Sequence, residues 1–295
     1  MISEVKDIFT NEIDGLYSNR VPYSHRKNYG QFFTPLLISD FMAFWILNSR
    51  KDLKILDPGI GTAVFERSIF KKYKNQNISI DAYEIDRKLL SIVEEIKKRV
   101  LPIKINLSSE DFLKSSWDKK YDAIICNPPY YKHHFINDKV KLFNSFTQNI
   151  NFRLRLNTNI YCLFIIKALN QLAYNGKMAF ITPSEFLNSN YGENVKEDIL
   201  KSGFLRYIII FDFKMNVFDN ATTTACISLY ANDGNNHKEI KIIDVTEEKQ
   251  ISPLYDLVLQ CNSNNASNIF TYNPDDLDPK LKWKNYIKPT DESTF

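Results

Sequence analysis

Between residues 53 and 231, apolar runs of strand length alternate with stretches of helical spacing, and this alternation limits the chain to a small set of folds. "LKILDPG" is a short apolar run, and "TAVFERSIFKKY" after it brings Val64, Phe65, Ile69 and Tyr73 near one helix face. "ISIDAYEID" and "RKLLSIVEEIKKRV" repeat the pair. "IKINLS" and "YDAIIC" read as the third and fourth strands. A helix over "IYCLFIIKALNQLAYNG", with Gly176 as its stop, leads into the strand "KMAFITP". "YGENVKEDILKSG" is a helix closed by Gly203. "FLRYIIIFD" and "TTTACISLYA" are separated only by "FKMNVFDNA", which predicts an antiparallel pairing. The expected fold class is therefore α/β. It is a doubly wound, mostly parallel, seven-stranded sheet with an antiparallel last strand.

The pattern weakens after Asp233. Residues 1–233 read as one domain, with a helical N-terminal segment of about fifty residues packed on it. Residues 234–295 read as a C-terminal extension or the start of a further region. In that stretch "KEIKIIDV" offers one more strand and "QCNSNNASN" a loop. No apolar run reaches membrane-spanning length, and "MISEVKDIFT" lacks the order of a signal peptide. Cys126, Cys162, Cys226 and Cys261 are scattered without CxxC spacing, so no metal site and no redox pair is expected. A reduced, cytoplasmic protein is the plain expectation. The net charge of +3 neither demands nor excludes nucleic acid.

In a doubly wound sheet, ligands sit outside the carboxyl ends of the strands. That rule gathers the informative residues on one edge. The first strand ends in Asp57-Pro58-Gly59-Ile60-Gly61-Thr62, where small residues let backbone approach a ligand. The loop is neither GxGxxG nor a P-loop. The second strand ends at Glu84 and Asp86, and an acid there can take both hydroxyls of a ribose. Glu110, Asp111 and Phe112 follow the third strand. The fourth ends in Asn127-Pro128-Pro129-Tyr130, which alone reads equally as a stiff turn.

Taken in order, these elements resemble the S-adenosylmethionine-dependent DNA amino-methyltransferases. The likeness is strongest to the adenine-N6 enzymes in which the methionine-binding motif precedes the catalytic one. "GQFFTP" is similar to the family's N-terminal motif, "LDPGIGTAVF" to its cofactor loop, and "NPPY" to its catalytic motif. Gly59 and Ala63 depart from the usual alanine and glycine. "KMAFITPSEFL" and "NVFDNATTTACISLY" resemble later motifs. The resemblance implies a Rossmann-like class I methyltransferase that binds S-adenosylmethionine and acts on double-stranded DNA as the modification enzyme of a restriction-modification system. It implies that Thr34 and Pro35 meet the methionine end of the cofactor. It places Asp57, Gly59 and Gly61 in the cofactor loop, Glu84 on the ribose, and Asp111 and Phe112 on the adenine ring. Phe218 falls where members set an aromatic against the target base.

The Asn-Pro-Pro-Tyr turn then has a chemical reading. The lone pair on the exocyclic nitrogen of adenine is delocalised into the ring. Two acceptors, the side-chain oxygen of Asn127 and the carbonyl of Pro128, would localise it. Pro128 and Pro129 restrict the backbone around that carbonyl, so it is pre-aimed. Tyr130 can stack on the base, which must first leave the duplex stack. The stretch from Tyr131 to Asn159 is long for a connection. It carries Lys132, His133, His134, Lys139, Lys141, Arg153 and Arg155, and is expected to form a DNA-facing flap. Its alternative is a helical insertion, since "VKLFNSF" has some amphipathic character. Base-edge reading is expected from a separate target-recognition domain or partner chain. Methylation of RNA or of protein glutamine, and a non-catalytic scaffold on the same fold, are the alternatives.

Overall fold

The computed structural model describes residues 5–47, 52–73, 77–130, 139–150, 154–215, 224–235, 238–260 and 268–287. Three helices come first: α1 (Glu12–Arg20), α2 (Tyr23–Tyr29) and α3 (Leu36–Ile46). The alternating part is β1 (Asp52–Asp57), α4 (Val64–Lys72), β2 (Asn77–Tyr83), α5 (Arg87–Arg99), β3 (Lys104–Ser108) and β4 (Tyr121–Cys126). There follow α6 (Lys139–Asn149), α7 (Ile160–Gln171), β5 (Leu172–Pro183), the short α8 (Glu185–Asn188) and α9 (Glu193–Ser202). The last elements are β6 (Leu205–Phe211), β7 (Ala225–Ala231), β8 (Ile240–Val245), α10 (Ile251–Gln260) and β9 (Ile269–Tyr272).

Among the described residues, nine strands form one sheet in the order β3-β2-β1-β4-β5-β7-β6-β8-β9. The first five are mutually parallel, and β7 runs antiparallel between β5 and β6. The doubly wound class and the antiparallel strand are as the alternation predicts. The strand count is not: β8 pairs parallel with β6, and β9 pairs antiparallel with β8, where seven strands were expected. Both faces of the sheet are covered. One carries α3, α4, α5 and α10, and the other carries α6, α7 and α9. This is why β4 and β7 are apolar along almost their whole length rather than alternating.

Gly176 is not a helix stop. Helix α7 ends at Gln171, and the backbone turns extended at Leu172. The pairing with β4 jumps from Tyr121–Leu172 to Ala123–Lys177, so residues 173–176 form a bulge. A Cβ at Gly176 would stand 2.8 Å from the carbonyl oxygen of Ala173, and only glycine fits that close approach. Gly203 is a true helix stop, left-handed at φ 67°. Part of the expected flap is helix α6, which buries Leu142, Phe143 and Phe146 against the second core, as the amphipathic alternative has it.

Candidate active site

The carboxyl ends of β1 to β4, together with residues 29–34, surround one pocket of about 800 Å³ including its mouth. The β1–α4 loop forms its floor. The Oδ1 of Asp57 accepts the Gly59 N–H at 3.0 Å, and the Ile60 N–H donates to the Tyr83 carbonyl. Gly61 takes φ 56°, which favours glycine. A Cβ at Gly59 would meet the Asn127 carbonyl at an ordinary 3.7 Å, so the alanine common at this position would also fit. Ala63 is left-handed at φ 58°, the conformation that the more usual glycine adopts without strain. Beneath the loop lie two fully buried carboxyls, Asp57 and Glu66. Asp57 Oδ2 and both Glu66 oxygens have no hydrogen-bond partner among the described residues, which favours keeping a proton on one of the two carboxyls. Burial pushes Asp57 well above the usual range, and the charge of Glu66 adds to it. Burial likewise pushes Glu66 up to about 7, against the pull of Asp57 and Arg67.

Glu84 stands at the end of β2. Its carboxylate accepts the Gly61 N–H at 3.1 Å and the Asp86 N–H at 2.8 Å. Burial pushes it up to about 7, although those backbone hydrogen bonds favour the charged form. After β3, the Oδ1 of Asp111 accepts the Leu113 N–H and caps a turn of 3-10 helix at Phe112–Lys114. Phe112 packs against Tyr83 and Phe164. The buried Lys167 holds this turn from behind, donating to the carbonyls of Phe112 and Ser115 at 2.6 Å each. Desolvation lowers its pKa to about 8.

The fourth side is the Asn127–Tyr130 turn. The Nδ2 of Asn127 donates to the Phe32 carbonyl at 2.6 Å and to Thr34 Oγ1 at 3.0 Å. The Phe32 carbonyl can only accept, so the amide nitrogen must face it and the oxygen must face away. That Oδ1 is buried and has no hydrogen-bond partner among the described residues. The Tyr130 N–H donates to the Gly30 carbonyl, its hydroxyl donates to the Ile181 carbonyl, and its ring stacks on Phe32 at 5.1 Å. The residue is thus held by its backbone, its hydroxyl and one face of its ring.

Of the residues singled out in the sequence, Thr34, Gly59, Gly61, Glu84, Asp111, Phe112, Asn127 and Pro129 line the pocket. Pro35, Asp57, Pro128 and Tyr130 adjoin it. Phe218, Lys132, His133, His134 and Arg153 lie outside the described residues. Lys141 is exposed on α6, and Lys139 sits half-buried, 5.5 Å from the Phe143 ring. Arg155 is committed to the Asn190 carbonyl and the Glu193 carboxylate. Sequence reasoning missed Tyr29, Tyr83, Ile85 and Phe164 in the lining. The first three flank residues it did choose, so the neighbours of each strand end were the available signal.

Fold and pocket together define the class I S-adenosylmethionine-dependent methyltransferase architecture. It is shared with a methyltransferase subunit of a type I restriction-modification system from Streptococcus thermophilus: TM-score 0.71, 15% identity, 90% of this chain and 65% of that one covered. A Listeria monocytogenes protein described as a class I methyltransferase of this kind matches with TM-score 0.65 and 17% identity, over 86% of this chain and 80% of that one. The chain belongs to the Eco57I restriction-modification methylase family, which matches residues 29–218. It is similar to the type II methyltransferase M.AccI of Acinetobacter calcoaceticus, with 39% identity over all of this chain and 53% of that protein. The type II methyltransferase M.HincII of Haemophilus influenzae is 30% identical over 77% of this chain and 42% of its own length. The chain thus spans about half the length of these relatives.

Proposed function

We propose that this chain transfers a methyl group from S-adenosylmethionine to the exocyclic N6 of adenine in DNA, as the modification activity of a restriction-modification system. Membership of a restriction-modification methylase family supports the setting. The observation that carries the chemistry is the buried Asn127 Oδ1, left without a partner while the same amide is locked through its nitrogen. A buried acceptor without a donor is costly, about 1–3 kcal/mol, and invites an external N–H. The N6 amine of adenine has two.

The residues of the pocket fit the proposed methyl donor. Glu84 would accept the two ribose hydroxyls. Asp111 and Phe112 would hold the adenine ring of the cofactor, and Thr34 with Pro35 the methionine end. Its sulfonium supplies a methyl group that needs no activation. Asn127 Oδ1 and the Pro128 carbonyl would take the two protons of the target amine and localise its lone pair. Because the Asn127 amide is already fixed, no reorganisation is needed when the base arrives. Tyr130 would bear on the base by stacking, which holds a base without identifying it. Phe218 remains the candidate for a second aromatic contact. The base must be turned out of the duplex to reach this depth. Lys139 and Lys141 are candidate phosphate contacts, with Lys132, His133, His134 and Arg153 alongside them in sequence. Arg155 is the weaker candidate, since its guanidinium is engaged by Glu193. Reading of base edges by a further domain or a partner chain is part of the same proposal, consistent with relatives about twice the matched length.

Transfer of labelled methyl from S-adenosylmethionine to duplex DNA, RNA and protein, offered side by side, tests the reading. Label confined to DNA adenine supports it. Label in RNA or in glutamine moves the chain to a different substrate class, and no label with no cofactor binding leaves only a scaffold.

A further inference from the structure

Asp86 lies two residues beyond Glu84, 2% exposed, at the start of α5. Its Oδ1 does the ordinary work of a helix cap, accepting the Lys88 N–H at 3.0 Å. Its Oδ2 has a different set of partners. Tyr17 of α1 donates to it at 2.8 Å, Gln31 Nε2 donates at 2.7 Å, and His25 Nε2 of α2 lies at 2.8 Å. Gln31 Oε1 is 3.0 Å from the same phenol. A phenol has one proton, and the shorter contact to the charged acceptor takes it. Burial works against the charge on Asp86, but the hydrogen bonds from His25, the Lys88 backbone, Gln31 and Tyr17 hold its carboxyl below the usual carboxylate range.

These partners are not scattered. Residues 29–34 line the pocket from one stretch of chain, and Glu84 and Ile85 line it from another. Phe33 sets its ring edge-on to Tyr17 at 5.5 Å, and the Gln31 N–H donates to the Arg26 carbonyl. Asp86 touches both stretches at once. Its backbone N–H fixes the Glu84 carboxylate, and its side chain fixes Gln31 with the two helices behind it. A helix cap requires one oxygen and no partner from residues 17–31.

We infer that Asp86 is a positioning residue for cofactor binding, a clasp that sets the spacing between the 29–34 wall and Glu84 by drawing Tyr17, His25 and Gln31 onto one carboxylate oxygen. The inference rests on the methyltransferase reading above. Because residues 29–34 also hold Asn127, through the Phe32 carbonyl and Thr34 Oγ1, the clasp acts first on how tightly the cofactor is held and only secondarily on the transfer step.

The test measures S-adenosylmethionine binding by calorimetry, and KM and kcat for methyl transfer, in the wild-type chain and in Asp86→Ala, Asp86→Asn, Tyr17→Phe and Gln31→Leu. Asp86→Ala is expected to raise Kd and the cofactor KM by about 10- to 100-fold, the loss of one or more charge-assisted hydrogen bonds. The kcat at saturating cofactor falls by a much smaller factor than Kd rises, because bound cofactor re-seats the wall. Asp86→Asn restores part of the affinity, because an amide oxygen still accepts. Tyr17→Phe and Gln31→Leu leave the α5 cap intact and move Kd the same way by a smaller factor. They therefore decide the matter if Asp86→Ala fails to fold. Unchanged Kd in both of those variants, or in a folded Asp86→Ala, overturns the clasp. A loss in kcat equal to that in kcat/KM also overturns it. A wild-type chain that binds no S-adenosylmethionine overturns the proposed function instead, and the clasp falls with it.

Discussion

Replacing Asn127 with alanine removes two things that the structure separates. The first is the buried Oδ1, the candidate acceptor for the target amine. Loss of one preorganised hydrogen-bonding group in a water-poor site costs about 10²–10³ in kcat. The second is the pair of bonds from Nδ2 to the Phe32 carbonyl and Thr34 Oγ1. Each is worth about 0.5–1.5 kcal/mol, and their loss loosens a segment that lines the cofactor pocket. Asn127→Ala is therefore expected to slow single-turnover methyl transfer by about 10²–10³. It should also weaken S-adenosylmethionine binding by about fivefold, the equivalent of about 1 kcal/mol. A residue that faced only the target amine would leave binding nearly intact; the two Nδ2 bonds are why this one does not. Rapid-quench single turnovers, paired with calorimetric Kd values, separate the two effects. Thr34→Val is the control, because it removes one Nδ2 acceptor and keeps Oδ1. A folded Asn127→Ala chain that turns over at the wild-type single-turnover rate refutes the reasoning.

Three other outcomes are expected. Glu84→Ala should weaken S-adenosylmethionine by about 10-fold or more through loss of a charged acceptor. In the wild-type chain, affinity measured across pH should fall as pH drops through about 7, where the raised Glu84 carboxyl takes up its proton. Ala63→Gly should raise the thermal midpoint modestly. It relieves about 1–2 kcal/mol of left-handed strain and gives back about 0.5–1 kcal/mol in unfolded-chain entropy. Glu66 titrates near 7 in the fold, above its ordinary 4.5, so its contribution to stability is complete below about 4.5 and is lost as pH rises through about 7. Glu66→Gln has no such proton to lose, so denaturant titrations should show the wild type losing more stability than the variant between about pH 4.5 and pH 7.

Strands β4 and β5 were legible because burial on both faces writes them as uninterrupted apolar runs, "AIIC" and "MAFI". The edge was less so. Strand β9 pairs on one side only and is half-exposed at Ile269, Phe270 and Tyr272, so its residues carry no strong pattern. Helix α10 has Pro253 in its first turn, which reads as a break although proline is tolerated there. Gly176 was misread because a bulge and a helix stop both call for glycine, and only the Ala173 carbonyl at 2.8 Å tells them apart. The pocket residues were legible wherever they end a strand, since the topology rule places strand ends together. The roles of Tyr17, His25 and Gln31 were not. Their meeting with Asp86 spans 55 to 69 residues, and nothing local in the sequence marks it. The orientation of Asn127 is of the same kind, fixed by partners 93 and 95 residues away.

The central claim is that Asn127 holds the N6 amine of a DNA adenine for methyl transfer. Nucleoside mass spectrometry of duplex DNA, after a single turnover with the purified chain and S-adenosylmethionine, tests it most directly. The account predicts N6-methyladenine as the modified nucleoside from the wild-type chain and its near-complete loss with Asn127→Ala. Methyl groups on cytosine, or N6-methyladenine formed equally well by the alanine variant, would contradict it.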